Sequence, residues 1–285
     1  MPPGPRTLSE VREFVISHGF HPSRKLGQNF LVDGNILRIL LRHAALTPAD
    51  RVLEIGPGLG AVTGALLEQA GEVTAIEKDD ILHGYLATFF GGDPHLTLIH
   101  GDALDQNLAS LAGRIDKVVA NLPYSVGSRI LVELVRAPQP PALLVVTVQQ
   151  EVAQRLTAPP GGRQCGLLTV WCGYRYDCTL AKVVTPNSFW PRPEVKSAIV
   201  VLACRRASLP PSADAAFHTV TDYAFKQRRK QLATILTHAP AALAMPGAVC
   251  HAFLAARGLP TTARPEDLSA AHWRDLGLLL AAPTW

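Results

Sequence analysis

Four consecutive residues near the middle of the chain, Asn121-Leu122-Pro123-Tyr124, combine two hydrogen-bond acceptors with an aromatic ring. The acceptors are the side-chain oxygen of Asn121 and the peptide oxygen of Leu122, and Pro123 helps to aim the latter because it restricts the backbone of the residue before it. The ring of Tyr124 offers a face on which a base taken out of its stack can lie. The tetrapeptide therefore predicts a site that holds the amino group of a flipped base.

The exocyclic amine of adenine suits such a site. This amine is a poor nucleophile because its lone pair is delocalised into the ring, so an enzyme must accept its hydrogens and hold it in line with a methyl donor. No base of high pKa is needed, because the proton can leave after the amine has become cationic. Taken alone, the tetrapeptide also fits an ordinary turn after a strand, where Asn, Pro and Tyr are common.

A glycine-rich turn followed by two acids predicts a nucleoside-containing cofactor. The turn is Glu54–Gly60, in which Gly56, Gly58 and Gly60 let the backbone turn sharply and approach a ligand because they lack a Cβ. Glu77 follows about 20 residues later, where a carboxylate can accept hydrogen bonds from ribose hydroxyls, and Asp102 stands where a carboxylate can meet an adenine ring. The glycines alone leave a structural turn or a dinucleotide site open. Together with the acids, the spacing E-x-G-x-G-x-G favours S-adenosylmethionine, which needs no pyrophosphate cradle.

The elements that must position these residues form an alternating pattern. Short β-branched runs between residues 50 and 150 are separated by stretches long enough for crossover helices, which is typical of βαβ units in a parallel sheet. The predicted strands are Val52–Ile55, Val73–Glu77, Leu96–His100, Lys117–Leu122 and Leu143–Gln149. Two further runs, Tyr176–Val184 and Lys196–Cys204, are expected to pair as an antiparallel edge. We therefore predict an α/β fold with a mostly parallel, seven-stranded sheet.

The composition, net charge and cysteine count of the whole chain limit the class of protein. Hydrophobic residues make up 48% of the 285 residues and charged residues 18%, and no apolar run is long enough to suggest a membrane span. A formal net charge of +4 permits a polyanionic partner without requiring one. Five cysteines without a C-x-x-C pair argue against a zinc site and against a disulfide framework. With no export or organelle signal visible, we expect a cytoplasmic protein.

The composition changes after Cys204. A Pro/Ser-rich linker at 208–212 precedes a region rich in Ala, Leu and Arg without β-branched runs. We predict a catalytic domain at 1–207 and a small helical domain at 208–285. Within the latter lies a basic cluster, Lys226, Arg228, Arg229 and Lys230; on a helix three of these would share one face and contact successive phosphates. A solvated basic face explains the cluster equally well.

These motifs resemble those of the small-subunit ribosomal RNA adenine N6,N6-dimethyltransferases, the kasugamycin-resistance family, over about 25–236. The stretch Lys25–Leu31 resembles the family's N-terminal motif that closes over the cofactor, which implies that Asn29 and Leu31 contact S-adenosylmethionine together with Gly56, Gly58, Glu77, Asp102 and Asn121. The stretch Ser188–Ser197 resembles the motif whose phenylalanine, here Phe189, stacks on the target adenine opposite the tyrosine of Asn-Leu-Pro-Tyr. The stretch 225–232, which holds the basic cluster, resembles a motif of the family's helical domain.

The resemblance implies a Rossmann-like methyltransferase fold and the transfer of two methyl groups to each of two adjacent adenosines near the 3′ end of small-subunit (16S) ribosomal RNA. It further implies a monomer that acts on this RNA or on the immature small subunit, with no metal and no membrane partner. Two alternatives stay open. One is a large-subunit (23S) adenine methyltransferase of the macrolide-resistance type, which shares the glycine turn and Asn-Leu-Pro-Tyr but is disfavoured by Arg228-Arg229-Lys230; the other is a mainly non-catalytic ribosome-assembly factor.

Overall fold

The computed structural model describes residues 4–23, 25–205 and 209–282. The chain forms two compact units: one contains the residues up to Ala153 together with Asp177–Cys204, and the other contains Gln154–Tyr176 together with the residues from Arg205 onward. The domain boundary predicted at 207/208 lies outside the described residues. The second unit also contains Gln154–Tyr176, a stretch that no change of composition marks in the sequence.

A mostly parallel, seven-stranded sheet organises the first unit, as predicted. Its order is β4-β3-β2-β5-β6-β9-β7, with β9 antiparallel to β6 and the β2, β3, β4, β5 and β6 neighbours parallel. Each predicted strand matches an observed one to within one residue at either end. The strands are β2 Arg51–Ile55, β3 Glu72–Glu77, β4 Leu96–His100, β5 Lys117–Asn121, β6 Leu143–Gln149, β7 Tyr176–Val184 and β9 Ser197–Cys204.

Helices connect these strands, and several begin at a side-chain cap. Thr7, Asp33 and Asp79 each accept hydrogen bonds from free N–H groups in the first turn of the helix that follows. The helices before β6 are α1 Leu8–Ser17, α2 Gly34–Ala44, α3 Ala61–Leu67, α4 Asp80–Phe90, α5 Leu108–Ala112 and α6 Gly127–Arg136. The helix α7, Gln150–Leu156, follows β6 directly.

The central strands are buried, which explains their β-branched, almost wholly apolar sequences. Val52, Leu53, Val118 and Val119 are all fully buried. Because parallel strands end at the same edge of a sheet, the residues that follow β2, β3, β4 and β5 lie close together. The chain order reverses between β2 and β5, and in open α/β sheets ligands bind beyond the carboxyl ends of the strands at such a point.

A separate two-stranded sheet joins the N-terminal segment, Lys25–Leu31, to a segment far along the chain. β1, Phe30–Leu31, pairs antiparallel with β8, Phe189–Trp190, so that Leu31 faces Phe189. The backbone N–H of Val32 donates to the carbonyl of Ser188 at 2.9 Å, which extends the pairing by one bond. A short 3₁₀ turn, Pro186–Ser188, leads into β8.

The second unit is helical, as predicted for the C-terminal region. Its helices are α8 Leu167–Arg175, α9 Pro211–Phe225, α10 Leu232–Thr237, α11 Gly247–Ala255 and α12 Ala270–Ala281, with a 3₁₀ turn at Pro265–Asp267. Trp273 and Phe217 are fully buried in its core, and Gly277 lets α12 approach α9, since a Cβ there would lie 2.8 Å from that of Phe217. No helix among the described residues is long and apolar enough to cross a membrane.

The prediction that the basic cluster lies on a helix is wrong. α9 ends at Phe225, and the next four residues form turns, followed by a bend at Lys230. The N–H groups of Gln227 and Lys230 bond to carbonyls three residues earlier, which tightens the backbone. Gln231 is then extended as the N-cap of α10, and the Leu232 N–H donates to the carbonyl of Ala263 at 2.8 Å. These tertiary contacts override the helix propensity of the Lys, Arg and Gln side chains.

Candidate cofactor and base-binding site

A cavity of about 230 Å³ lies at the carboxyl edge of the sheet in the first unit. Its walls come from the ends of β2, β3, β4 and β5 and from the N-terminal segment around β1. All of the residues predicted to contact the cofactor line it: Asn29, Leu31, Gly56, Gly58, Glu77, Asp102 and Asn121. The structure therefore brings together, around one cavity, residues that are spread over more than ninety positions of the sequence.

The glycine turn needs glycine at the three positions that the sequence singled out. Gly56, Gly58 and Gly60 have φ angles of +70°, +60° and +81°, in the left-handed region that other residues rarely adopt. A Cβ on Gly58 would lie 3.0 Å from the Phe30 ring, and a Cβ on Gly56 would lie 3.1 Å from Pro123. The turn is thus packed between the N-terminal segment and the Asn-Leu-Pro-Tyr turn.

Glu77 ends β3 and is bound to the glycine turn. Its Oε2 accepts the N–H of Gly58 at 3.0 Å, and its Oε1 accepts the N–H of Asp79 at 2.9 Å. Burial raises the pKa of this carboxyl, while backbone hydrogen bonds, chiefly those from Asp79 and Gly58, act in the opposite direction. Both oxygens are held in place at the cavity wall as acceptors.

Asp102 follows β4 and pairs with a lysine that the sequence did not single out. Lys78 Nζ donates to Asp102 Oδ2 at 2.7 Å, and the N–H of Leu104 donates to Oδ1 at 2.9 Å. The lysine contact lowers the pKa of the Asp102 carboxyl below its usual value, so the group is ionised at neutral pH. Lys78 also lines the cavity.

Glu54 is a third acid in the wall of this cavity, and sequence reasoning left it without a role. Its side chain is 1% exposed, lines the same cavity and accepts a hydrogen bond from Thr63 Oγ1 at 2.6 Å. Burial raises the pKa of Glu54 to about 8, so the carboxyl is mainly protonated at neutral pH. An acid inside an otherwise apolar, doubly covered strand is the feature that could have identified it.

Asn121 ends β5 with one half of its amide satisfied. Nδ2 donates to the carbonyl of Asn29 at 2.9 Å, which fixes the orientation of the amide. Oδ1 is buried and has no hydrogen-bond partner among the residues that the structure describes. A buried acceptor of this kind is costly and is rare in native proteins. The side chain is therefore arranged to accept a hydrogen from a group that enters the site.

The N-terminal segment covers the cavity and fixes the Asn-Leu-Pro-Tyr turn. Gly27 has φ +68°, and a Cβ there would lie 3.0 Å from the backbone nitrogen of Tyr124. Gln28 Nε2 donates to Asp79 Oδ2 at 3.0 Å, which binds the segment to the start of α4. Phe30 packs over Gly58. This segment therefore contacts both the glycine turn and the Asn-Leu-Pro-Tyr turn.

The three remaining residues predicted for the base site lie beside the cavity rather than in its wall. Leu122 and Tyr124 line a small adjoining cavity of about 10 Å³, too small for a base. The rings of Tyr124 and Phe189 are 6.5 Å apart, but their planes meet at 76°, so they are not a parallel pair. The Tyr124 hydroxyl is hydrogen bonded to Ser197. Entry of a base between the two rings therefore requires one ring to turn.

The basic cluster of the second unit has mixed surroundings. Lys226 forms an ion pair with Asp222 at 2.6 Å. Arg228 lies 3.7 Å from Glu266 and also contacts the carbonyl of Cys165. Arg229 and Lys230 are exposed, and Lys230 Nζ donates to the side chain of Gln227. Lys226 is exposed too, so Arg229 and Lys230 are the exposed members without an ion pair among the described residues.

Comparison with known proteins identifies the family. A family model described as ribosomal RNA adenine dimethylase matches residues 19–249, which is most of the chain. The chain belongs to the ribosomal RNA adenine dimethylase family. The matched residues include the whole basic cluster and, apart from Pro5, all residues that line the large cavity. The family predicted from the motifs is confirmed.

Curated members of the dimethylase family are similar over nearly their full length. The protein named ribosomal RNA small subunit methyltransferase A from Phenylobacterium zucineum is 39% identical, over 98% of this chain and 93% of its own. Its namesake from Opitutus terrae is 39% identical over 95% of this chain and 98% of its own, and that from Deinococcus radiodurans is 36% identical over 95% and 90%.

Two solved structures of methyltransferases share the fold. A dimethyladenosine transferase from Plasmodium falciparum has a TM-score of 0.73 at 24% identity and covers 87% of this chain and 95% of its own. The 23S rRNA methyltransferase ErmE has a TM-score of 0.68 at 25% identity and covers 89% and 100%. The Rossmann-like methyltransferase fold predicted for this dimethylase family member is confirmed.

Proposed function

We propose that this protein transfers methyl groups from S-adenosylmethionine to N6 of two adjacent adenosines near the 3′ end of small-subunit ribosomal RNA. The product is N6,N6-dimethyladenosine at both positions. The observation that carries the proposal is the buried Oδ1 of Asn121 at the wall of the cavity, which has no hydrogen-bond partner in the described part of the chain. The amide is oriented by its Nδ2, which donates to the carbonyl of Asn29. Oδ1 is an acceptor for an amine hydrogen, placed beside a site for a methyl donor.

The residues around the cavity fit S-adenosylmethionine. Each carboxylate oxygen has two lone-pair directions, and the N–H groups of Gly58 and Asp79 use one on each oxygen of Glu77. One acceptor position on each oxygen is left for a ribose hydroxyl. Asp102 has the same arrangement with Lys78 and Leu104, and can accept the amino group of the cofactor's adenine.

Glu54 suits the charged end of this cofactor. A cation that enters the cavity next to the Glu54 carboxyl favours the ionised form and so lowers its pKa from about 8. Asn29, Leu31, Gly56 and the other cavity residues would enclose the remainder of the molecule. When bound, S-adenosylmethionine supplies an electrophilic methyl group.

The chain's own residues hold the target amine and its base. Asn121 Oδ1 and the peptide oxygen of Leu122 accept the two hydrogens of the target amine, which leaves the nitrogen lone pair directed at the donor. Tyr124 and Phe189 stack on the extruded adenine after one ring turns. The amine loses its proton after methylation. A monomethylated amine keeps one hydrogen for Asn121, so the same site accepts a second round.

Several features favour small-subunit RNA as the substrate. The curated relatives at 36–39% identity are named for the small ribosomal subunit, whereas the similarity to the 23S rRNA methyltransferase is 25%. We further propose that Arg229 and Lys230 contact RNA phosphates, and that Lys226 and Arg228 do so after giving up their ion pairs. A monomer that acts in the cytoplasm on the immature small subunit is consistent with this role.

Labelled methyl transfer tests the proposal. The purified protein is incubated with labelled S-adenosylmethionine and with unmethylated small subunits, naked small-subunit RNA or large subunits, and the labelled nucleotides are located by mass spectrometry. We expect label on two adjacent adenosines of the small-subunit RNA. Label in the large subunit alone contradicts the proposal, and binding of small subunits without any transfer favours an assembly factor.

A further inference from the structure

Thr147 carries a buried hydroxyl without a hydrogen-bond partner among the residues that the structure describes. The side chain is 1% exposed and lies in β6, between the apolar Val146 and Val148. Native proteins rarely keep an unsatisfied hydroxyl in an apolar strand, because valine has nearly the same shape without the desolvation cost. A use for this hydroxyl is therefore to be sought in its surroundings.

The register of the sheet places this hydroxyl next to Asn121. β5 and β6 are parallel, and Asn121 and Thr147 are Cα partners, so both side chains leave the same face of the sheet beside each other. Asn121 Oδ1 is also buried and without a partner in the described part of the chain. Two unsatisfied polar atoms thus stand at neighbouring positions on one face.

The aromatic residues of the site belong to the same face. In the antiparallel pair of β6 and β9, Thr147 faces Ile199, and Ile199 packs in the apolar cluster that contains Phe189. Ser197, two residues from Ile199 on the same face of β9, is hydrogen bonded to the Tyr124 hydroxyl. The Thr147 side chain therefore lies on the face of the sheet that carries the groups assigned to the target base.

We propose that Thr147 is a further specificity-determining residue, whose hydroxyl donates a hydrogen bond to the ring nitrogen beside the target amine. This inference rests on the proposed function. Adenine presents a donor, the N6 amine, next to an acceptor, which is N1 on one edge and N7 on the other. Asn121 Oδ1 accepts from the amine, and the Thr147 hydroxyl supplies the matching donor. Guanine has the acceptor O6 in place of the amine and is rejected.

The variants Thr147→Val and Thr147→Ser separate the hydroxyl from the shape of the side chain. In Thr147→Val, kcat/KM for methyl transfer to unmethylated small subunits falls roughly three- to tenfold, the value of one hydrogen bond. The affinity for S-adenosylmethionine is unchanged, and Thr147→Ser restores kcat/KM. The Thr147→Val protein melts at the wild-type temperature or above, because a buried unsatisfied group has been removed, so misfolding does not explain the loss.

Modified substrates test the same hydrogen bond from the other side. Small subunits are reconstituted with 1-deazaadenosine or 7-deazaadenosine at the target positions. On one of these substrates, kcat/KM of the wild-type protein falls by the same factor as in Thr147→Val on the natural substrate. On that substrate kcat/KM of Thr147→Val falls no further, because both changes remove one shared contact. Wild-type kcat/KM in Thr147→Val, or losses that add for both analogues, overturns the role of Thr147 alone. Absence of methyl transfer by the wild-type protein to any subunit overturns the proposed function instead.

Discussion

Replacing Glu54 with glutamine should change how the stability of the protein depends on pH. Glu54 is buried, and its pKa is raised from 4.5 to about 8 in the folded protein. The folded protein therefore holds this proton more tightly than the unfolded chain does. The stabilising contribution is fully present below pH 4.5 and is lost as the pH rises through about 8.

The size of the effect follows from the two pKa values. With 4.5 in the unfolded chain and about 8 in the folded protein, the free energy of unfolding should fall by about 4 kcal/mol between pH 5 and pH 9 on account of this one group, at about 1.36 kcal/mol per pKa unit. Glutamine does not titrate, and its side-chain oxygen can still accept the hydrogen bond from Thr63. Glu54→Gln should thus match the wild type near pH 5 and exceed its stability at pH 9.

Urea unfolding of both proteins at pH values from 5 to 9 measures this difference directly. Glu133→Gln is the matched control, because Glu133 is an exposed acid on α6, and its curve should follow the wild type. Parallel curves for Glu54→Gln and the wild type across the whole range would refute the idea that the cavity holds a protonated carboxyl.

Asn121→Ala should lower kcat for methyl transfer by about 10²–10³, by analogy with the loss of one preorganised hydrogen-bonding group, and leave the affinity for S-adenosylmethionine largely intact. Labelled transfer measures kcat and calorimetry measures the affinity; activity equal to that of the wild type would refute the role of Asn121. Gly58→Ala puts a Cβ 3.0 Å from the Phe30 ring at φ +60° and should destabilise the protein by about 1–3 kcal/mol. Gly84 lies on a helix with open space around it, so Gly84→Ala should stabilise the protein by up to about 1 kcal/mol. Thermal unfolding of both variants measures these opposite effects. Arg229→Ala should weaken binding to small subunits and reduce its salt dependence, as titrations at several salt concentrations would show; an unchanged salt slope contradicts a phosphate contact.

The sheet was predictable because its information is local. Buried parallel strands need continuous apolar runs, and each predicted run matched a strand to within one residue at either end. The pairing of β1 with β8 joins Leu31 to Phe189, more than 150 positions apart, and two-residue strands leave no periodic pattern. The end of α9 at Phe225 was missed because tertiary contacts, rather than helix propensity, decide it.

The residues of the candidate site also divide into those that a local sequence pattern predicts and those that only the folded structure reveals. The glycines, Glu77, Asp102 and Asn121 were found because each stands at a fixed place at the end of a strand or directly after it, and all line one cavity. Glu54 was missed because its importance depends on its burial, and Thr147 was missed because its importance depends on burial and on the lack of a hydrogen-bond partner among the described residues. These properties exist only in the folded chain, where a polar group inside an apolar strand can be recognised as buried or unsatisfied.

The mass of the 3′-terminal fragment of small-subunit ribosomal RNA, from cells with and without this protein, tests the central claim most directly. If the site next to Asn121 methylates adenine amines, the fragment from cells without the protein lacks two methyl groups on each of two adjacent adenosines. Expression of Asn121→Ala in these cells does not restore the methyl groups. Expression of Asn35→Ala restores them, because Asn35 is an exposed asparagine on α2. A fragment that carries all of these methyl groups in the absence of the protein contradicts the account.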